Sequence, residues 1–278
     1  GQSRNYGAES AEGSYLIILD SDVVLPDGYL EAVDKSLRQT PCDAFGGADA
    51  SHPSFTPVQK AISYSMTSFF TTGGIRGGKK QLDKFYPRSY NMGIRRDVYE
   101  RLGGFSKMRF GEDIDFSYRI VKAGCDCRLY PEAWVWHKRR TDMRKFFRQV
   151  YNSGIARINL EKRHPGTMKL VHMLPTIFTL GVLSLVLLSI AGCVLACCDE
   201  SHHWCLLCLL PLLPIVLYSL LLFADSTLQH KSLRIGMLSV VAAFVQLMGY
   251  GCGFIEAWWK RSVLGRDEFH AFEKSFYK

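Results

Sequence analysis

Charge is nearly missing from the second half of this chain: between about Leu170 and Trp259 long stretches carry no Asp, Glu, Lys or Arg. A water-soluble surface cannot be built from such segments, so a wholly soluble protein is excluded. Nine cysteines are present but no cysteine framework. Cys193, Cys197, Cys198, Cys205, Cys208 and Cys252 lie in or beside apolar runs, where a thiol behaves as a small hydrophobe. Cys125-x-Cys127 has no second pair at zinc-site spacing, and Cys205-x-x-Cys208 is set among leucines, so neither a disulfide nor a zinc site is expected. A Walker phosphate loop is also missing. Thr71 to Lys80 (T-T-G-G-I-R-G-G-K-K) is glycine-rich and basic without that spacing, and reads either as a phosphate-facing loop or as a solvated connection. Gly1 is not an initiator Met and no signal peptide precedes the polar part, so the chain reads as a piece of a longer one.

What is present divides sharply. Residues 1 to about 165 are mixed and charged, whereas the rest is mostly apolar. The net charge of +8 is localised, because Lys138 to Lys169 holds ten Lys or Arg against Asp142 and Glu161. Lying directly before the first long apolar run, this block fits anionic headgroups at a cytoplasmic membrane face better than nucleic acid. No nucleic-acid partner is expected.

In the polar half, Ser3 to Ala11 reads as a short helix. Ser14 to Leu19 reads as a buried strand of a largely parallel sheet, running into Asp20-Ser21-Asp22. A helix follows from Pro26-Asp27 to about Gln39, capped by Asp27, with Leu30, Val33 and Leu37 on one face. Ala44 to Ala48 is a strand and Val58 to Phe70 a helix. Asn91 to Ile94 is a strand, and Arg96 to Leu102 and Asp113 to Ala123 are helices. Cys127 to Tyr130 and Ala133 to Trp136 are two strands. This alternation predicts an open α/β sheet. Asp142 to Ile158 has an apolar stripe (Met143, Phe146, Phe147, Val150, Tyr151, Ile155, Ile158) opposite Arg144, Lys145, Arg148 and Arg157, and is expected to lie in a membrane interface.

Three membrane spans are expected, at Met173 to Cys198, Trp204 to Ala224 (with Pro211 and Pro214) and Leu238 to Trp258. The first loop, Asp199 to His203, lacks Lys and Arg and fits the outside. Three spans then put the basic tail (Lys260, Arg261, Arg266) outside, against the usual bias, so the side of the tail stays open.

Three features can carry chemistry. Asp20 and Asp22, one residue apart at the carboxyl end of a strand, can hold a hard cation that bridges phosphates, although Asp also simply favours turns. Glu112, Asp113 and Asp115 open a helix, where they suit its dipole and where one carboxylate can instead act as a general base. His137 ends a strand and can complete a metal shell or be purely structural.

The order of these features resembles glycosyltransferase family 2. N-Y-G at Asn5 to Gly7 and I-I-L-D-S-D-V-V-L-P at Ile17 to Pro26 look like the middle of its catalytic domain. N-M-G-I-R-R-D-V-Y-E-R-L-G-G-F at Asn91 to Phe105 and G-E-D-I-D-F-S-Y-R-I-V-K-A-G at Gly111 to Gly124 look like its acceptor half. The resemblance implies a partial GT-A domain of α/β class over 1–140, a basic amphipathic interfacial segment over 141–169, a transmembrane region over 170–259 and a basic tail over 260–278. It implies Asp20 and Asp22, with Asn5, as donor-binding residues, and Asp22, Asp20 and His137 as ligands of Mg or Mn. Asp113 is then the catalytic base, supported by Glu112. The implied reaction is inverting transfer from a nucleotide-diphosphate sugar to a lipid-linked or cell-surface glycan acceptor. Two departures matter. The counterpart of the family's N-terminal strands and most of its nucleoside pocket is absent from this sequence, so strand edges are expected to be exposed, and a truncated, non-catalytic acceptor-binding or assembly module is the alternative. The Q-x-x-R-W motif of processive members is also missing after Gln149, which disfavours a polysaccharide synthase.

Overall fold

The computed structural model describes residues 1–72, 85–108, 110–198 and 208–266. Most of the glycine-rich loop, the Asp199–His203 loop, the start of the expected second span and the end of the tail lie outside the described residues. The elements in chain order are α1 (Gln2–Ser10), β1 (Tyr15–Leu19), β2 (Val23–Val24), α2 (Tyr29–Gln39), β3 (Ala44–Ala50), α3 (Pro57–Thr67), α4 (Phe69–Thr72), β4 (Asn91–Arg95), α5 (Arg96–Arg101), α6 (Glu112–Lys122), β5 (Cys127–His137), α7 (Met143–Arg163), α8 (Leu170–Cys198), α9 (Leu213–His230) and α10 (Leu233–Trp258).

Two compact units form. The first comprises Gly1–Phe55, Thr72–Arg139 and Asn159–Thr167; the second comprises Thr56–Thr71, Arg140–Ile158 and the chain from Met168 onward. The division expected near residue 140 is thus interrupted twice: α3 belongs with the apolar helices, and the end of α7 belongs with the sheet.

The first unit is a five-stranded sheet in the order β1-β4-β3-β5-β2. Only β3 and β5 pair in parallel; β1–β4, β3–β4 and β2–β5 are antiparallel. This corrects the expectation of a largely parallel sheet. The apolar run Tyr15–Leu19 reports burial, not direction, and its exposure alternates, with Leu16 and Ile18 buried and Ile17 open. That alternation suits an antiparallel strand with one covered face.

Helices cover both faces. On one, Val98 and Tyr99 of α5 and Phe116 and Ile120 of α6 pack with Phe105 on Leu16, Ile18, Met92 and Ile94. On the other, Tyr29 and Val33 of α2 pack on Phe45, Tyr130, Ala133 and Val135. The inward stripe of α2 begins at Tyr29, not at the expected Leu30, which is exposed. Asp27 does not cap this helix. Gly28 occupies the cap with φ 77° and the helix starts at Tyr29, which stands one turn before Val33 and Leu37, both on the stripe as expected.

The two strands expected at 127–130 and 133–136 are one strand with a bulge. Gly47 pairs with Tyr130 but Asp49 pairs with Val135. Pro131, which has no N–H to give a ladder, sits within the slip. The bulged chain folds over Gly47, where an added Cβ would collide with the Ala133 carbonyl oxygen.

In the second unit α3 opens with a capping box, Thr56 and Gln59 satisfying each other's backbone, and with Pro57 in its first turn. Among the described residues, three helices are long and apolar enough to cross a membrane: Leu170–Ala196, Leu210–His230 and Leu233–Val263. Pro211 and Pro214 fall in the starting turns of the second, where a missing N–H costs little. The third is the most enclosed. Gly249 and Gly253 face α7 at Val150 and the Tyr151 backbone, Gly251 faces Pro175 and Thr179 of α8, and Gly154 of α7 meets the Tyr250 carbonyl. Small residues at these points let helix backbones approach closely.

Helix α7 begins where expected, with Asp142 Oδ1 accepting from the Lys145 amide at 2.7 Å. Part of its stripe faces protein. Phe146 and Val150 are buried with Ala61, Ile62 and Met66 of α3 and Ala242 of α10. Phe147 of the same stripe stays exposed. Arg157, assigned to the solvated basic face, is buried, while Arg144, Lys145 and Arg148 are exposed as expected.

Candidate active site

The D-S-D turn follows β1 and leads straight into β2. Val23 pairs with His137, and the Lys138 amide donates to the Asp22 carbonyl at 3.0 Å. Backbone pairing therefore sets His137 beside Asp22. Asp20, Asp22 and His137 each offer a ligand atom within 4.8 Å of the others, the group picked out as able to hold a metal among the described residues. Two carboxylates and one imidazole, half-buried and with solvent access left for further ligands, fit a divalent cation of the Mg or Mn kind.

His137 is held on three sides. Nε2 lies 3.4 Å from Asp22 Oδ1, Nδ1 lies 3.5 Å from Asp49 Oδ2, and the Tyr90 ring stacks on the imidazole at 5.0 Å. Burial alone would lower its pKa, but the carboxylates of Asp22 and Asp49 outweigh burial and raise it. Asp49 is itself buried and binds Arg139 Nη1 at 2.7 Å.

The second acidic motif opens α6 after Gly111, whose φ of 81° is a left-handed turn that glycine adopts freely. Glu112 and Asp113 fall in the first turn, at the positive end of the helix dipole. Asp113 Oδ2 accepts from Arg88 Nε at 2.7 Å. Burial works against the Arg88 charge, yet Asp113 more than offsets it and raises the Arg88 pKa. Asp115 points elsewhere. It is buried and receives Ser106, Arg119 and His164, so it anchors α6.

One residue joins the two motifs. Arg4 of α1 donates through Nη2 to Asp20 Oδ1 at 2.6 Å and through Nη1 to Glu112. Burial lowers the Arg4 pKa, but hydrogen bonding to Asp20 and the nearby acids outweigh it and raise it. The structure thus brings Asp20, Asp22 and His137 into one cluster and links Glu112 to it. Asn5 has a different occupation. Its Nδ2 donates to the Phe105 carbonyl at 2.9 Å, while its Oδ1 accepts from the Phe105 amide and the Tyr99 hydroxyl. That amide is engaged in clipping the Gly103-Gly104-Phe105 turn to α1.

Sequence reasoning missed Arg4, Arg88, Asp49 and Arg139. Arg4 stands directly before the N-Y-G motif, and Arg88 stands three residues before the N-M-G strand, so proximity to a motif was the available signal. Asp49 stands just past the strand expected at Ala44 to Ala48 and belongs to no motif, and Arg139 lies within the basic block.

Comparison with known proteins accords with this arrangement. The model of the "Glycosyl transferase family group 2" matches residues 15–224. The pre-mycofactocin glycosyltransferases of two Mycobacterium tuberculosis strains (CDC 1551 / Oshkosh and ATCC 25618 / H37Rv) are each 26% identical to this chain over 170 residues, covering 59% of it and 35% of their own length. The chain therefore spans about a third of the length of these curated relatives. A mixed sheet carrying both acidic motifs, followed by apolar helices and matched over most of its length, places this chain in glycosyl transferase family group 2.

Proposed function

We propose that this chain carries the metal and acceptor side of an inverting glycosyltransferase. It moves a sugar from a nucleotide-diphosphate sugar to a lipid-linked or cell-surface glycan acceptor at the cytoplasmic face of a membrane. The observation that carries the reading is the Arg4 bridge between Asp20 and Glu112, which ties the D-x-D turn to the start of the helix bearing Asp113.

Asp113 takes the proton of the acceptor hydroxyl. The freed oxygen forms its bond to the anomeric carbon from the face opposite the nucleotide, and the carbon–oxygen bond to the diphosphate breaks with its electron pair leaving on the diphosphate. Arg88 aims the Asp113 carboxylate, because its Nε is fixed 2.7 Å from one oxygen. Asp20, Asp22 and His137 would hold the cation, whose bound charge would stabilise the departing diphosphate. Arg4 keeps Asp20 and Glu112 from repelling one another. The three apolar helices and the exposed Arg144, Lys145 and Arg148 support an acceptor delivered at a membrane.

The test is Asp113→Asn in the full-length protein, assayed for sugar transfer and for Mn²⁺ binding. We expect transfer to fall by about 10² to 10⁴, the usual worth of a positioned base, with Mn²⁺ binding intact. Undiminished transfer would remove Asp113 from this role.

A further inference from the structure

We propose that Asp49 is a positioning residue for the cation site: it holds the Nδ1 edge of His137 so that Nε2 is presented to the space shared with Asp20 and Asp22. The inference rests on the reading of those three residues as cation ligands.

The two imidazole nitrogens face carboxylates of opposite character. Asp22, beside Nε2, is 35% exposed, whereas Asp49, beside Nδ1, is 5% exposed. An accessible carboxylate can share a cation with Nε2. The enclosed one faces the other edge of the ring: Nδ1 stands 3.5 Å from Asp49 Oδ2 without a formed hydrogen bond, and the negative charge there favours a proton on Nδ1, which leaves the Nε2 lone pair for a metal.

Asp49 is in turn fixed by Arg139, 3% exposed, whose Nη1 lies 2.7 Å from the same Oδ2 atom that faces His137. A buried carboxylate needs such a partner to remain ionised. Tyr90 closes the remaining side: its ring stacks on the imidazole, and its hydroxyl donates to the Gly47 carbonyl at 3.2 Å, two residues before Asp49. The placement follows from the β5 bulge. By setting Asp49 opposite Val135, it carries the carboxylate alongside the strand end at which His137 meets β2.

The experiment measures Mn²⁺ affinity of the full-length protein by the electron paramagnetic resonance signal of free Mn²⁺. Four proteins are compared: wild type, Asp49→Asn, His137→Ala, and the two changes combined. Asn is isosteric with Asp, and the melting temperature of each variant is measured alongside. We expect Asp49→Asn to weaken Mn²⁺ binding about tenfold to a hundredfold, the usual effect of losing an outer partner of a metal-bound imidazole. In the His137→Ala background the same change should cost less than about twofold, because its route of action is gone. Unchanged affinity in Asp49→Asn, with His137→Ala impaired, overturns this inference and leaves the cation site standing. An equal loss in both backgrounds also overturns it, since Asp49 would then act by its charge alone. If His137→Ala binds Mn²⁺ like wild type, or wild type binds none, both readings fall. A paired Asp49→Leu/Arg139→Leu variant, which removes both buried charges together, repeats the comparison should Asp49→Asn lower the melting temperature.

Discussion

Replacing Asp115 by Asn should loosen the helix that presents Glu112 and Asp113. The Asp115 side chain is 2% exposed and receives Ser106 Oγ at 2.8 Å, Arg119 Nε at 3.1 Å and His164 Nε2 at 2.8 Å, with Arg163 Nη1 at 3.5 Å. Removing one partner of a buried charge pair typically costs about 3–5 kcal/mol. The lower end applies. Arg119 also donates to the Leu102 and Gly104 carbonyls, and Arg163 is 36% exposed, where screening makes a pair worth little. A loss of about 3 kcal/mol corresponds to a fall of roughly 6–12 °C in melting temperature for a domain of this size. Burial acts to raise the Asp115 pKa, but His164, Ser106 and the arginines outweigh it and lower it. The sign follows: a carboxylate depressed in the folded state stabilises fully above the ordinary aspartate value of about 3.9 and loses that contribution as pH falls through the folded value. Thermal unfolding of both proteins in nanodiscs should therefore show a gap that is full at pH 7 and narrows below about pH 4. A shift smaller than about 2 °C at pH 7, or a gap that widens on acidification, would refute the assigned anchor.

Two further changes test the backbone approaches. Gly47→Ala places a Cβ against the Ala133 carbonyl, so the β5 bulge must move; we expect lowered Mn²⁺ affinity together with destabilisation, and a variant with wild-type values for both would show the close approach to be dispensable. Gly154→Leu drives a side chain into the Tyr250 carbonyl and the Phe254 amide; we expect a melting transition several degrees lower in nanodiscs, while an unchanged transition would mean that α7 and α10 do not need the contact.

The parts of this protein that were legible in the sequence are those that local chemistry fixes. Asp20 and Asp22 follow an apolar strand, Glu112 and Asp113 start a helix between turn-forming glycines, and the apolar spans declare themselves by length. Strand direction was not legible, because the apolarity of Tyr15–Leu19 is the same whichever way its neighbour runs. The stripe on α7 revealed a helix but not its cover, since protein and lipid both satisfy Phe146 and Val150. Arg4, Arg88 and Asp49 escaped for a further reason. Their partners, Glu112, Asp113 and His137, lie far along the chain, and only the folded sheet makes them neighbours.

The bulge in β5 has a meaning beyond the position of Asp49. Side chains on a strand alternate between faces, so two stretches separated by an even slip stay in phase and those separated by an odd slip change sides. Between the pairings Gly47–Tyr130 and Asp49–Val135, β3 advances two residues while β5 advances five, an odd difference. The buried positions switch parity accordingly, from Tyr130 to Ala133 and Val135. His137 shares the later parity, and in an unbulged strand it would project from the opposite face of the sheet, out of reach of Asp22. Gain or loss of a single residue between Tyr130 and Val135 would thus switch the imidazole off without altering any ligand. The length of one irregular segment sets which face of the sheet His137 projects from.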